Sequence, residues 1–163
     1  MTDAATHDQH WTRRTSRLDA ALAEIGRALS VLDGSVTASR PYPAGPVSPI
    51  ASDDAPELDA AQVRHVAGLM RVNHVGEICA QALYRGQALL CRDAGTRDVL
   101  LQAASEEVDH LVWRRQLLDE LHSRPSVLYP LWYLGAFSLG VIASRAGTPY
   151  NLGFMAETER QVE

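Results

Sequence analysis

The 163-residue chain carries 46% hydrophobic and 21% charged residues, and its formal net charge is −5. This length and composition fit a folded domain with a sizeable core. The acidic balance and the lack of a basic stripe argue against a nucleic-acid-binding protein, so we expect no nucleic-acid partner. The polar start from Met1 to His10 lacks the basic and apolar regions of a signal peptide, and we expect none.

The first predicted element is an amphipathic helix between Trp11 and Leu32. Its apolar side chains recur at steps of three and four, at Leu18, Leu22, Ile25, Leu29 and Leu32. Five prolines follow between Ser35 and Pro56, which predicts an extended linker. We therefore divide the chain into an N-terminal tail and helix (1–34), a proline-rich linker (35–57) and a helical bundle domain (58–163). The first helix is expected to dock onto the bundle or onto a partner.

Two long helices are predicted at the start of the bundle, from about Pro56–Asp59 to Arg92 and from about Thr96 to His122. The first places Glu77 among apolar inward positions. The second has one seam that is apolar at both ends and ionisable in the middle, formed by Leu100, Ala103, Glu107, His110, Arg114, Leu117 and Leu121. An unpaired buried carboxylate is costly, so these ionisable residues predict a bound cation.

Glu107 and His110 stand three residues apart on one helix face, and Glu77 can project toward them from the neighbouring helix. In di-iron four-helix bundles, two helices each give a Glu-x-x-His pair and the other two each give a Glu. Carboxylate and imidazole ligands suit iron or manganese better than structural zinc. An isolated Glu-x-x-His pair on a helix is nevertheless more often a chance pair than a metal site.

Several neighbouring residues have two readings. His74 is expected to support the site through a hydrogen bond or helix packing, with ligation as the alternative. Asp109 is expected to accept a hydrogen bond from an imidazole. Tyr84 lies two turns after Glu77 and is predicted to line a substrate channel, although core packing fits equally. Gly76 is expected to allow a neighbouring helix or metal to approach closely.

Two further segments complete the prediction. The eighteen residues from Val127 to Ser144 carry no charge, which fits a buried core helix, an interfacial membrane segment or, least well, a membrane span. A last helix is predicted from Asn151 to Glu163.

Cys79 and Cys91 lie about 18 Å apart along one predicted helix, so we expect no disulfide between them and a reducing compartment.

Five stretches of the sequence resemble the demethoxyubiquinone hydroxylases of ubiquinone biosynthesis, the Coq7 family, in the order of that family: residues 71–77, 80–87, 106–111, 130–133 and 151–163. The resemblance implies an all-α, ferritin-like four-helix bundle. It also implies an O2-dependent di-iron monooxygenase that hydroxylates a membrane-held polyprenyl methoxy-benzoquinol, demethoxyubiquinol. The contact with the membrane would be peripheral, on the cytoplasmic side of the cell membrane, through residues 127–144.

Carried onto this chain, the resemblance implies Glu77, Glu107, His110 and Glu159 as iron ligands, with Glu107 bridging two irons. Helical spacing keeps Glu163 as an alternative to Glu159, and Glu157 is a further one. The family's fourth bundle helix, with the second Glu-x-x-His pair, is not seen before Glu163. We therefore expect an incomplete bundle, either from a truncated chain or completed by a ubiquinone-biosynthesis partner or a homo-oligomer.

Two other functions are compatible with these residues. Iron storage uses a similar ligand set, but the charge-free aromatic segment argues against a soluble storage protein. A non-catalytic helical subunit that binds a quinone, a lipid or a partner is the second alternative.

Overall fold

The structure, a computed structural model, describes residues 16–43, 45 and 58–162, apart from the side chains of Arg17, Glu159, Gln161 and Val162. These residues form five helices and no strand, which are α1 (Arg17–Asp33), α2 (Ala60–Leu89), α3 (Ala94–Glu120), α4 (Tyr129–Arg145) and α5 (Thr148–Val162). The predicted all-α, ferritin-like fold class is confirmed. Most of the prolines of the predicted linker lie outside the described residues, and the division of the chain at residues 34 and 57 stays a prediction.

Side-chain caps mark where the first three helices begin. Ser16 and Asp19 form a capping box at α1, and Asp59 accepts hydrogen bonds from two amides at the start of α2. Asp93 accepts from the Thr96 amide at α3. At the other end of α1, Gly34 adopts a left-handed φ of 76°, which a residue without a Cβ atom adopts without strain.

Helix α2 is the centre of the fold, because α3 packs along one side of it and α4 along another. Two apolar clusters form the core. The first joins α1 to the three central helices through Val31, Ile78, Ala82, Leu111 and Tyr133. The second lies farther along α2 and consists of Leu83, Tyr84, Ala88, Leu100 and Ala104.

Helix α1 contacts the bundle through a face that the leucine pattern did not indicate. Val31 is buried, and Glu24 forms an ion pair of 2.9 Å with the buried Arg85 of α2. The Tyr129 hydroxyl donates a hydrogen bond to the Leu32 carbonyl. Four of the five residues of the predicted apolar stripe, Leu18, Leu22, Ile25 and Leu29, are each more than half exposed. The fifth, Leu32, is partly buried and packs against the first cluster.

Helix α4 contains most of the charge-free segment and is buried on one face only. Tyr133, Gly140 and Ser144 are buried. The opposite face presents large apolar side chains to solvent, namely Leu131, Trp132, Leu134, Leu139 and Ile142. Within the described part of the chain, α4 is therefore buried on one side, which fits the expected buried core helix only in part. No helix in the described part of the chain combines the length and hydropathy needed to cross a bilayer.

Two glycines allow α2 and α4 to come into backbone contact. A Cβ atom added at Gly140 would overlap the Leu83 carbonyl oxygen, and one added at Gly86 would overlap the Phe137 carbonyl oxygen. At Gly76 the predicted close approach of a neighbouring helix is wrong, because a Cβ atom there would meet nothing within 4 Å, whereas the approach of a metal stays a prediction. The close helix contact that the sequence suggested beside Glu77 lies instead two to three turns further along α2.

Replacing Gly140 by Ala is expected to lower the free energy of unfolding by about 1–3 kcal/mol, because the new methyl group pushes α4 away from α2. The matched control is Gly135→Ala in the same helix, where a Cβ atom meets nothing within 4 Å. That change is expected to raise stability by about 0.5–1 kcal/mol through helix propensity. Urea unfolding monitored by circular dichroism measures both, and equal effects would contradict the close contact.

Candidate metal centre

Glu77 of α2 and Glu107 and His110 of α3 converge in the structure. One potential ligand atom from each residue lies within 4.8 Å of the other two. His110 Nδ1 is 3.4 Å from Glu107 Oε2 and 3.8 Å from Glu77 Oε2. These are the three residues that the sequence placed together, and their side chains are all partly buried.

The two carboxylates repel each other at this separation. At about 5 Å and an effective dielectric constant of about 20, two like charges repel by roughly 3 kcal/mol. Arg114 lies one turn after His110 and places its Nε 3.5 Å from Glu77 Oε1, which offsets part of this repulsion. The half-exposed His110 adds positive charge only when it is protonated. A bound cation would neutralise both carboxylates at once and satisfy the imidazole nitrogen.

The three residues lie on the wall of an open groove of about 670 Å³. This volume falls within the range of ordinary small-molecule sites. The remaining wall is mainly apolar and includes Leu83 and Tyr84 of α2, Leu139 of α4 and Phe154 of α5. Tyr84, predicted as a channel residue, is fully buried and borders this groove, so it contributes to both the core and the wall.

The predicted ligand from the last helix is only partly placed. Glu159 lies on α5, but its side chain falls outside the described part of the chain, as does all of Glu163. Thr158, its neighbour, lines the groove. Glu157 is exposed and forms an ion pair of 2.7 Å with Arg160 on its own helix. The assignment of Glu159 as a ligand stays a prediction.

His74 occupies different surroundings from the three converging residues. It is buried beside Val31, Leu111 and Arg115, in a small cavity that shares none of its lining with the groove. Burial, aided by the Arg115 guanidinium and opposed by Glu77, lowers the pKa of His74 to about 4. The imidazole is therefore neutral at neutral pH. These contacts favour packing over ligation, although its supporting role stays a prediction.

Asp109 has partners that the sequence did not indicate. Its buried carboxylate accepts hydrogen bonds from the Ser39 amide at 2.6 Å, from the Ser39 hydroxyl and from Arg40 Nε at 2.6 Å. Burial alone would raise the pKa of Asp109, but these hydrogen bonds outweigh it and hold the pKa below its usual value. The predicted hydrogen bond from an imidazole is not among these contacts.

The segment that carries Ser39 and Arg40 reaches the surroundings of His110. The Arg40 guanidinium carbon lies 5.2 Å from the centre of the Trp113 ring, a cation–π contact. The Trp113 ring is in turn 5.4 Å from the His110 ring. Tyr42 of the same segment lines a cavity of about 360 Å³ that also contacts His110. The residues before the bundle therefore pack close to His110, through Trp113 and around a shared cavity.

Comparison with known proteins assigns the family. The family described as Ubiquinone biosynthesis protein COQ7 matches residues 64–163, more than half of the chain. The chain belongs to the COQ7 family. This match includes Glu77, Glu107, His110 and Glu159, and it leaves α1 and the Ser39–Arg40 segment outside.

Curated relatives of this COQ7-family chain are named 3-demethoxyubiquinol 3-hydroxylase. The relative from Bordetella petrii is 61% identical over 153 residues, which is 94% of this chain. The relative from Bordetella avium is 64% identical over 151 residues, which is 93% of this chain. The relative from Xanthomonas oryzae pv. oryzae is 53% identical over 152 residues. The chain spans 66–67% of the length of these relatives. No solved structure matches it.

In this COQ7-family chain, Asp109→Asn is expected to lower the free energy of unfolding by about 1–3 kcal/mol, because Arg40 and Ser39 lose a charged hydrogen-bond acceptor. The half-exposed Arg40 keeps the loss below that of a fully buried pair. Asp98→Asn on the exposed side of α3 is the control and is expected to change stability by less than about 0.5 kcal/mol. Thermal unfolding measures both. Similar shifts for the two variants would contradict a structural role for the Asp109 contacts.

Proposed function

We propose that this chain forms the iron-binding part of an O2-dependent hydroxylase that acts on 3-demethoxyubiquinol in ubiquinone biosynthesis. The observation that carries the proposal is the convergence of Glu77, Glu107 and His110 on the wall of the groove. The names of the curated relatives supply the substrate. The convergence alone would not distinguish a hydroxylase from an iron-storage protein, and the names of the relatives favour the hydroxylase.

The donor set fits iron. Two carboxylates and one imidazole suit a divalent transition metal that needs open coordination positions, and the absence of a cysteine ligand argues against structural zinc. Glu77, Glu107 and His110, together with Glu159 from α5, are the residues that would hold the iron. When bound, iron supplies the activation of O2 that no protein side chain provides.

The groove supplies the orientation of the substrate. Leu83, Leu139 and Phe154 form an apolar wall next to the ligands, where a quinol ring and the first part of an isoprenoid chain can bind away from water. This wall would hold the ring beside the carboxylates, and the bound ring would displace water from this part of the groove. The volume of about 670 Å³ accommodates a ring but not a long isoprenoid chain, whose remainder would extend out of the groove.

The outer face of α4 is the proposed contact with the cytoplasmic side of the cell membrane. It presents exposed apolar side chains that include Leu131, Trp132 and Ile142, and no charged residue lies between Tyr129 and Ser144. Large exposed apolar patches are unfavourable in water and are typical of interaction surfaces. A peripheral helix in the lipid interface would bring the groove close to a substrate dissolved in the bilayer.

Replacing Glu107 by Gln is expected to weaken the binding of ferrous iron to the chain at least tenfold, because a central carboxylate ligand loses its charge. The matched control is Glu106→Gln, since the exposed Glu106 side chain contacts Gln102 and lies outside the groove. Anaerobic titration with ferrous iron, followed by metal analysis of the desalted protein, measures the affinity.

Iron uptake that does not depend on Glu77, Glu107 or His110 would contradict the proposed centre. If the chain takes up no iron but retains a quinone or lipid through purification, the alternative of a non-catalytic binding subunit gains support. Quinol-dependent oxygen uptake by the iron-loaded chain would support the enzyme directly.

Replacing Trp132 and Ile142 together by Asp is expected to reduce retention on phospholipid vesicles at least tenfold, because each apolar side chain contributes about 1.5–3 kcal/mol when buried. Both side chains are more than half exposed, so the fold is expected to tolerate the change. Val99→Asp on α3 is the control, because its exposure of 52% equals that of Trp132. Vesicle flotation measures retention, and unchanged flotation of the double variant would contradict contact through α4.

A further inference from the structure

A second cavity, of about 510 Å³, lies where α2 and α4 end and α5 begins. It shares no lining residue with the groove that contains the carboxylates. Along α2 it is about 18 Å from Glu77, the length of twelve helical residues. Its chemistry differs as well, since Arg92 and Arg145 line it and no acidic residue does. The proposed hydroxylation does not use this cavity.

Two buried polar side chains in this cavity have no partner among the described residues. The Ser144 hydroxyl and the Asn151 carboxamide oxygen make no hydrogen bond, although the two residues are only 9% and 1% exposed. Buried polar groups without partners are unfavourable, and in native proteins they commonly contact a ligand or water. The position of Asn151 is fixed by its backbone carbonyl, which accepts a hydrogen bond from Gln87 Nε2 at 2.9 Å. Its carboxamide can present either the oxygen or the N–H group to a ligand.

The charge around the cavity favours an anion. Within the described part of the chain, neither Arg92 nor Arg145 has a carboxylate partner. The start of α5 adds the backbone amide of Thr148, a lining residue in the first turn of the helix, where amides have no partner within the helix. The ends of α2 and α4 each contribute about −0.5 charge, and the start of α5 contributes about +0.5. The net partial charge of these helix ends is small, so the two positive guanidinium groups dominate the charge around the cavity.

We propose that this cavity binds a phosphate group. Two guanidinium groups, a serine hydroxyl and a helix-terminal amide belong to residues that line one cavity, and this set of donors suits an oxyanion with three or four oxygens better than a carboxylate with two. The cavity is also far larger than one phosphate, so the ligand is a phosphate ester. Its source is either a soluble ester or the headgroup of a phospholipid. The lipid source rests on the proposed membrane contact, because Arg145 ends the helix whose outer face would lie on the bilayer.

Inorganic phosphate is the first probe, titrated into the full 163-residue chain by isothermal calorimetry. Arg145→Gln is expected to weaken phosphate binding at least tenfold. Ser144→Ala is expected to weaken it severalfold without unfolding the chain, because the hydroxyl has no described partner to lose. Arg64→Gln on the exposed start of α2 removes the same charge elsewhere and is expected to leave phosphate binding unchanged. No binding, or equal losses in Arg145→Gln and Arg64→Gln, would overturn the proposal.

Vesicles separate the two sources. If the ligand is a lipid headgroup, phosphatidylcholine vesicles that contain phosphatidic acid retain the chain more strongly than phosphatidylcholine alone. The Arg145→Gln variant is then expected to bind both kinds of vesicle equally. Inorganic phosphate is expected to release the chain from the vesicles that contain phosphatidic acid. If the ligand is soluble, phosphate binds but the difference between the vesicles does not depend on Arg145. Ferrous iron binding by Arg145→Gln stays at the wild-type level in both cases, so failure of this site is distinguishable from failure of the metal centre.

Discussion

Two carboxylates from different helices stand within 4.8 Å of each other, and this approach depends on how α2 and α3 are packed. Each helix is anchored beside its ligand, because Ile78 follows Glu77 and Leu111 follows His110, and both apolar residues are buried in one cluster. Consecutive residues on a helix point about 100° apart. Burial of Ile78 and Leu111 therefore turns the ligands toward the edge of the interface, where they remain close together and accessible from the groove.

The sequence predicted the helices and the spacing of the ligands, but it identified the packed faces less well. On α3, Leu100 of the predicted seam is buried, and Glu107, His110 and Arg114 of the same seam line the groove. The other buried apolar positions of α3 lie outside the seam, at Ala104, Leu111 and Leu118. Both faces recur at helical spacing, so periodicity cannot distinguish a face that packs on a helix from one that lines a groove. On α1, the predicted stripe is exposed except at Leu32, because the packed side is formed mainly by Glu24, Ala28 and Val31.

The contacts that the sequence did not indicate join residues far apart in the chain. Ser39 and Arg40 reach Asp109 across about seventy residues, and no local pattern marks a serine or arginine in a proline-rich stretch as the partner of a buried carboxylate. Gly86 and Gly140 form a contact of the same kind. A glycine in a helix could have been noted as a possible close approach, but its partner is known only once the helices are placed. Long-range pairing is therefore what the structure adds.

Helix α4 connects the proposed membrane contact with the proposed active site. Its inner face packs on α2, its outer face is apolar and exposed, and Leu139 lies at the boundary between them. Leu139 is 48% exposed and also lines the groove next to the carboxylates. If the outer face of α4 lies in the lipid interface, a quinol with an isoprenoid chain can move along this residue into the groove while its chain stays in the bilayer. Such a path avoids the cost of carrying a long apolar chain through water, about 0.8 kcal/mol for each exposed CH2 group.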